Sequence, residues 1–415
     1  MVYLICTIYI IFFFVNNRVY KKNMNYVNII ITIWALTAIL TIINPYNTFE
    51  IEKNIYIYII EFLIIFEVTS VLFYKVKYTQ KNNEKLLVNW TLVNICMIFC
   101  IVFLFPFTLK GLNIYITKGS FNAIRDAYLN YEICSNKMYL LITLFIVPIG
   151  EAIGFYAILK SIERKKVNFS LILFIIFIIE IIFETGGRGR ILNYAILLIL
   201  IMIDNSKNIL EIIKKNKKIL FVLAILLIIV IIITGQRRLS GESTILYNAY
   251  IYLTGGMQLL GVYIKTPTLY MFQDNLLYGQ VLFSGILYPI YTIMNFFGMD
   301  LTAGYYVVNE VTSLFLPISN NTIINNGGTF IYYALRDFGR IGIFIYTVII
   351  SFVLANFNKK KEKYPNILNK SIFYFLLIKS IFLITEFNWA QTSVLMTCVY
   401  FRILCINGKE EKNNE

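Results

Sequence analysis

Of the ten arginines in the chain, seven (Arg125, Arg188, Arg190, Arg237, Arg238, Arg336 and Arg340) stand apart from the lysine-rich stretches. A guanidinium is a planar, permanently charged fork suited to bidentate recognition of phosphate or carboxylate, whereas lysine supplies positive charge alone. The sharpest local pattern is Glu184-Thr185-Gly186-Gly187-Arg188-Gly189-Arg190. It joins two apolar runs, and a helix starting there directs unpaired N–H groups toward any anion that the glycines let approach. These features describe a site for a diphosphate. The plainer alternative is a tight glycine turn whose arginines snorkel to head groups.

A second cluster is Arg336-Asp337-Phe338-Gly339-Arg340, shortly after Asn326-Gly327-Gly328-Thr329. Arg336 and Arg340 are four apart, which predicts one shared helix face running into the apolar segment at Ile341. Asp337 lies between them, either as a general base or, more commonly for such a residue, as the orienting partner of an arginine. Glu310, Glu242 and Glu184 are the other carboxylates that could serve as base. Histidine is absent altogether, so imidazole chemistry is excluded. The six cysteines show no metal-ligand spacing, and no metal or cofactor is expected.

The elements that must position these residues are membrane helices. With 59% hydrophobic residues, 14% charged residues and a mean hydropathy of +0.71, the chain lies far from soluble composition. Spanning about 30 Å of hydrocarbon takes roughly 20 residues. Eleven spans are expected near 2–16, 25–43, 55–74, 86–108, 139–159, 169–184, 191–204, 219–234, 341–357, 371–385 and 389–405. The fold class is therefore all-α and polytopic. Residues 1–234 hold eight spans, 235–340 form one large loop, 341–405 hold three more spans, and 406–415 form a tail.

Lysine clusters at 75–85, 160–166, 207–218 and 359–370 recur after every second span, which the positive-inside rule makes cytoplasmic. The N-terminus and the long loop are then outside and the C-terminus inside. The first apolar run is not expected to be a cleaved signal, because its basic residues follow it. Residues 245–264 and 276–298 are apolar enough to raise the count to thirteen, but Gly255, Gly256, Gly261, Pro267 and Pro289 favour shorter broken helices at the interface. The basic, amphipathic 207–218 segment reads as an anchor to anionic lipid. Glu61, Glu67, Glu151, Glu180 and Lys379 fall within apolar runs, where ionisable groups are costly. The 31 tyrosines and 34 phenylalanines suit interfacial belts and sugar-stacking surfaces alike.

The whole architecture resembles the Wzy-type oligosaccharide repeat-unit polymerases of O-antigen and capsule assembly. The resemblance rests on Gly119-Ser120 with Arg125, on Gly186-Gly187-Arg188-Gly189-Arg190, on Tyr252-Leu-Thr-Gly-Gly256, and on Asn326-Gly-Gly-Thr329 with Asp337-Phe338-Gly339 and Gly342. It implies a metal-independent glycosyltransferase of the bacterial plasma membrane, similar in fold to GT-C-like membrane glycosyltransferases. Such an enzyme joins polyprenyl-diphosphate-linked oligosaccharides at the outer face. Arg188, Arg190, Arg336 and Arg340, with Arg125 and Arg237 behind them, would stabilise the leaving diphosphate. Asp337 and Glu310 are the carboxylates carried forward as catalytic candidates. Implied partners are the lipid-linked glycan, membrane lipids, and a flippase and chain-length regulator of the same pathway, with no nucleic acid. A lipid-linked glycan flippase is the rival reading, which the lack of an internal repeat disfavours. A glycan ligase is disfavoured by the missing histidine.

Overall fold

The structure is a computed structural model that describes residues 1–22, 24–76, 86–187, 189–206, 219–224, 226, 245–266, 276–320, 322–325 and 327–407. The helices follow from apolar runs bracketed by capping side chains. Asn25, Asn89 and Asn168 accept the N–H of Asn28, Leu92 and Leu171 at 2.9, 3.1 and 2.8 Å. Each such cap contributes roughly 0.5–2 kcal/mol by satisfying an orphan donor of the first turn.

In chain order the elements are α1 (Val2–Tyr20), α2 (Tyr26–Ile43), α3 (Lys53–Lys75), β1 (Leu86–Val88), α4 (Trp90–Lys118) and α5 (Phe121–Leu129). Next come α6 (Asn136–Arg164, containing a π-turn at Ile142–Ile146), α7 (Phe169–Thr185), α8 (Gly189–Asp204) and α9 (Ile245–Lys265). Then follow α10 (Ser284–Phe296), α11 (Gly304–Thr312), β2 (Leu316–Ser319), β3 (Thr322–Ile324) and α12 (Thr329–Phe338). The chain closes with α13 (Arg340–Lys363), α14 (Ile367–Ile381), α15 (Thr392–Ile403) and β4 (Cys405–Asn407). Strands β2 and β3 form a bulged antiparallel hairpin, and β1 pairs antiparallel with β4, Leu87 opposite Ile406.

Among the described residues seven helices are long and apolar enough to cross a bilayer: α1, α2, α3, α4, α6, α13 and α14 extended to Ile384. The protein is predominantly helical and membrane-embedded. Helices α7 and α8, with 17 and 16 residues, reach only about 25 Å at 1.5 Å per residue. The 389–405 segment expected as the last span holds a 12-residue helix, about 18 Å long, which does not cross unaided. Most of the expected 219–234 span lies outside the described residues.

One expectation is overturned within the long loop. Residues 245–265 are not broken at their glycines but form one unbroken 21-residue helix, α9. Gly256 serves contact instead, since a Cβ there would lie 2.1 Å from the Ile384 carbonyl oxygen. The second apolar piece does break, into the 13-residue α10 that contains Pro289.

The chain divides into two compact units. One comprises Met1–Tyr78, Ser243–Lys359 and Leu376–Val394, the other Thr79–Glu242, Lys360–Phe375 and Leu395–Glu415. The first is organised around α12, whose residues from Thr329 to Asp337 are all buried. Trp34 of α2, Phe62 of α3 and Phe330 of α12 form its aromatic centre, with ring centroids 4.6 to 5.5 Å apart. A helix buried on every side must satisfy its polar groups within the protein. In the second unit α7 packs along α4 and α6, and Phe121, Ile124 and Ala127 of α5 bury against Ile191 of α8.

Candidate functional site

The first unit carries its chemistry on α12 and on the turns that hold it. The Gly328 and Thr329 N–H groups both donate to the Thr385 carbonyl, at 3.0 and 3.1 Å, which fixes the helix start to the turn after α14. Tyr263 of α9 donates to the Gly327 carbonyl at 2.8 Å, and its ring lies 4.6 Å from that of Tyr332. At the other end Gly339 has φ +62°, a left-handed conformation that favours glycine and ends the helix.

That break overturns the expected shared face. Arg336 is on α12 and only 6% exposed, whereas Arg340 begins α13, has a 66% exposed side chain and is ion-paired to Glu61 of α3. Arg336 Nε and Nη1 are buried with no hydrogen-bond partner among the described residues. Burying guanidinium nitrogens without partners costs several kcal/mol.

Asp337 likewise departs from expectation, because it orients neither arginine. Its Oδ1 accepts the N–H of Gly279 at 2.7 Å and of Val281 at 3.3 Å, and its Oδ2 accepts the N–H of Leu282 at 3.1 Å and the Tyr346 hydroxyl at 2.8 Å. With four donors on two oxygens the carboxylate is committed to holding the 279–282 turn. The Tyr278 N–H donates to the Asp337 carbonyl at 2.8 Å and tightens the same joint. Glu310, the other catalytic candidate, is exposed near the end of α11.

A carboxylate that sequence reasoning passed over is better placed. Glu386 follows α14 and accepts a 3.4 Å hydrogen bond from the Tyr305 hydroxyl, which in turn accepts from Gln391 Nε2 at 2.8 Å. Burial pushes the Glu386 carboxyl above its ordinary value, opposed by Lys379 and by hydrogen bonds from Asn388 and Tyr305. A carboxylate whose proton affinity is raised is suited to accepting a proton in a reaction. The phenols of Tyr305 and Tyr333 stack at 5.6 Å and 15°. Burial, followed by the Glu386 charge, pushes both well upward, so they stay protonated donors. The available signal was a lone acidic residue in the short connection after an apolar helix.

In the second unit the glycine-arginine motif forms the turn between α7 and α8. Gly186 has φ +59°, and a Cβ there would lie 2.6 Å from the Phe121 carbonyl and 3.0 Å from the Arg125 nitrogen. The turn thus seats against the first residues of α5, bringing the Arg125 backbone to the motif. Arg190 Nε lies 4.0 Å from Glu151 Oε1 with a 28% exposed side chain. Glu184 is fully buried, and neither carboxyl oxygen has a partner among the described residues. Burial, then the Glu184 charge, raises the Tyr128 phenol, and the same causes push the Cys134 thiol to about 11, where it is no nucleophile at neutral pH. Arg188 and Arg237 lie outside the described residues.

Among the described residues no group of three or more Cys, Asp or Glu side chains could hold a metal ion. Comparison with protein-family models, with curated proteins and with solved structures found no match.

Proposed function

We propose that the protein is a membrane glycosyltransferase that joins polyprenyl-diphosphate-linked oligosaccharide repeat units at the outer face of a bacterial plasma membrane, as the resemblance to Wzy-type polymerases implies. The observation that carries this reading is Arg336, a guanidinium buried on α12 with two nitrogens lacking hydrogen-bond partners among the described residues. Such a group has a purpose when an anion arrives, and a fixed cation in a low-dielectric pocket stabilises charge developing on a leaving diphosphate.

In the reaction the acceptor sugar's hydroxyl oxygen bonds to the donor's anomeric carbon. The bond from that carbon to the diphosphate oxygen breaks, and its electron pair leaves with the polyprenyl diphosphate. Arg336 meets that charge. The hydroxyl proton passes to Glu386, whose raised affinity for protons suits the role. Asp337 positions the turn beside α12 and takes no proton. Arg190 and Arg125 of the second unit would attract the anion more weakly, and Arg340 serves as the partner of Glu61.

The transporter rival would place the intramembrane carboxylates of the first unit along a path, yet each has a partner side chain. Glu61 is paired with Arg340, and Glu67 accepts from Asn16 Nδ2 at 2.8 Å. A deletion strain separates the two readings. Single lipid-linked repeat units displayed on the outer surface, with polymer restored by the intact gene and not by Arg336→Ala, are expected. Units trapped on the cytoplasmic side would overturn the polymerase in favour of a flippase.

A further inference from the structure

The first unit contains a cleft that the reaction above does not use. It lies between α10 and the start of α11, has a volume of about 220 Å3, and is lined by Tyr288, Tyr291 and Tyr306 with Thr292, Asn295 and Thr302. Among the described residues no charged side chain lines it. The volume falls below the roughly 300 Å3 at which drug-sized sites begin, so the cleft takes one ring and not a chain of them.

Its walls are built before any ligand arrives. Asn295 Nδ2 donates to the Leu301 carbonyl and its Oδ1 accepts the Leu301 N–H, both at 2.8 Å, which closes the turn between the two helices. Ser284 Oγ accepts the Tyr305 N–H at 2.7 Å and donates to the Gln280 carbonyl at 2.6 Å. The turn leading into α10 is the one held by Asp337. Preorganisation of this kind lowers the entropy lost on binding.

Helix α10 also separates its faces. Ile286, Ile290, Ile293 and, just beyond it, Phe297 are exposed at spacings of four, three and four, a stripe suited to hydrocarbon, while the tyrosines and hydroxyls lie on the cleft side. A lipid tail therefore has its own face. The Tyr288 and Tyr306 rings meet at 4.5 Å and 34°, forming an angled aromatic wall. Such a wall presents negative π faces, and the surrounding side chains offer hydroxyl and amide groups. A pyranose is complementary to both: its axial C–H face carries slight positive charge, and its rim carries hydroxyls that exchange hydrogen bonds.

We infer that the Tyr288, Tyr291 and Tyr306 cleft is a binding subsite for a single uncharged pyranose ring of the glycan. The inference rests on the glycan reading for its biological meaning, and its test does not require catalysis. Saturation-transfer NMR on the full chain in lipid nanodiscs, with methyl pyranosides of glucose, galactose, mannose, rhamnose, N-acetylglucosamine and N-acetylgalactosamine, reads binding directly. At least one of them should receive saturation on its C–H face. That signal should fall roughly fivefold or more in Tyr306→Ala, the loss of an aromatic stack, and persist in Tyr306→Phe. Tyr288→Ala should repeat the loss, with thermal melting confirming that each variant is folded.

Absence of transfer to every pyranoside in the wild-type chain overturns the subsite, as does a signal unchanged in folded Tyr306→Ala. Binding of tetramethylammonium alone would also overturn it, in favour of an aromatic cage for a cation. A chain that binds sugar in this cleft yet makes no polymer would sink the polymerase and leave the subsite standing.

Discussion

The two arginine motifs look alike in sequence and differ in what surrounds them. In the second unit Arg190 sits partly exposed at a glycine turn, 4.0 Å from the Glu151 carboxylate. In the first unit Arg336 is buried on a helix whose residues from Thr329 to Asp337 are all buried, with Nε and Nη1 lacking hydrogen-bond partners among the described residues. Glycine content and charge density mark the first of these as the better anion site. In the proposed reading burial reverses the order, because a cation near solvent is screened, while an enclosed one is not.

The largest expected effect comes from removing the proposed base. Glu386→Gln should lower the turnover rate by about a hundredfold to ten-thousandfold, the usual range for a positioned general base. Its stability should move the other way. The folded carboxyl is raised above its ordinary value of 4.5, so the native state binds the proton more tightly than the unfolded chain. Wild-type stability is then greatest below 4.5 and declines as pH rises through the folded value. The glutamine variant lacks that decline, so its melting temperature at pH 8 should equal or exceed wild type, with the gap closing in acid. A variant that melts much earlier at pH 8 would mark Glu386 as structural.

Next in size is the contrast between the arginines. Arg336→Met should reduce polymer formation roughly a hundredfold to a thousandfold, as for loss of one preorganised donor. Melting should be unchanged or improved, since apolar replacement of a buried ion is often neutral or favourable. Arg190→Met should cost no more than about fivefold, in line with a partly exposed ion pair. Equal losses from both substitutions would erase the distinction drawn between the two units.

The smallest effect on rate, and the clearest on stability, belongs to Asp337. Asp337→Asn keeps one acceptor oxygen but turns an N–H2 group toward backbone donors, and hydrogen bonds to a charged acceptor are worth about 1.5–3 kcal/mol each. Melting should fall by several degrees in Asp337→Asn and further in Asp337→Ala. The turnover of the folded fraction, measured well below the melting range, should stay within about fivefold of wild type. Normal melting with abolished turnover would return Asp337 to the list of reacting groups.

Much of the architecture was legible because it is set by one-dimensional quantities. Apolar run length fixes which segments can cross hydrocarbon, and asparagine before a run fixes where a helix begins, as at Asn25, Asn89 and Asn168. The absence of histidine excluded imidazole catalysis outright. What the sequence could not carry was the company each polar group keeps. Gly339 separated two arginines that spacing had placed on one face, and three backbone N–H groups claimed a carboxylate that adjacency had assigned to guanidinium. Gly256 marked a helix contact where punctuation suggested a break. Glu386 gained its raised proton affinity from burial, against the opposing hydrogen bond of Tyr305, 81 positions away in sequence. Desolvation and hydrogen bonding are sums over neighbours in space, so the tertiary structure alone decided which charged groups found partners.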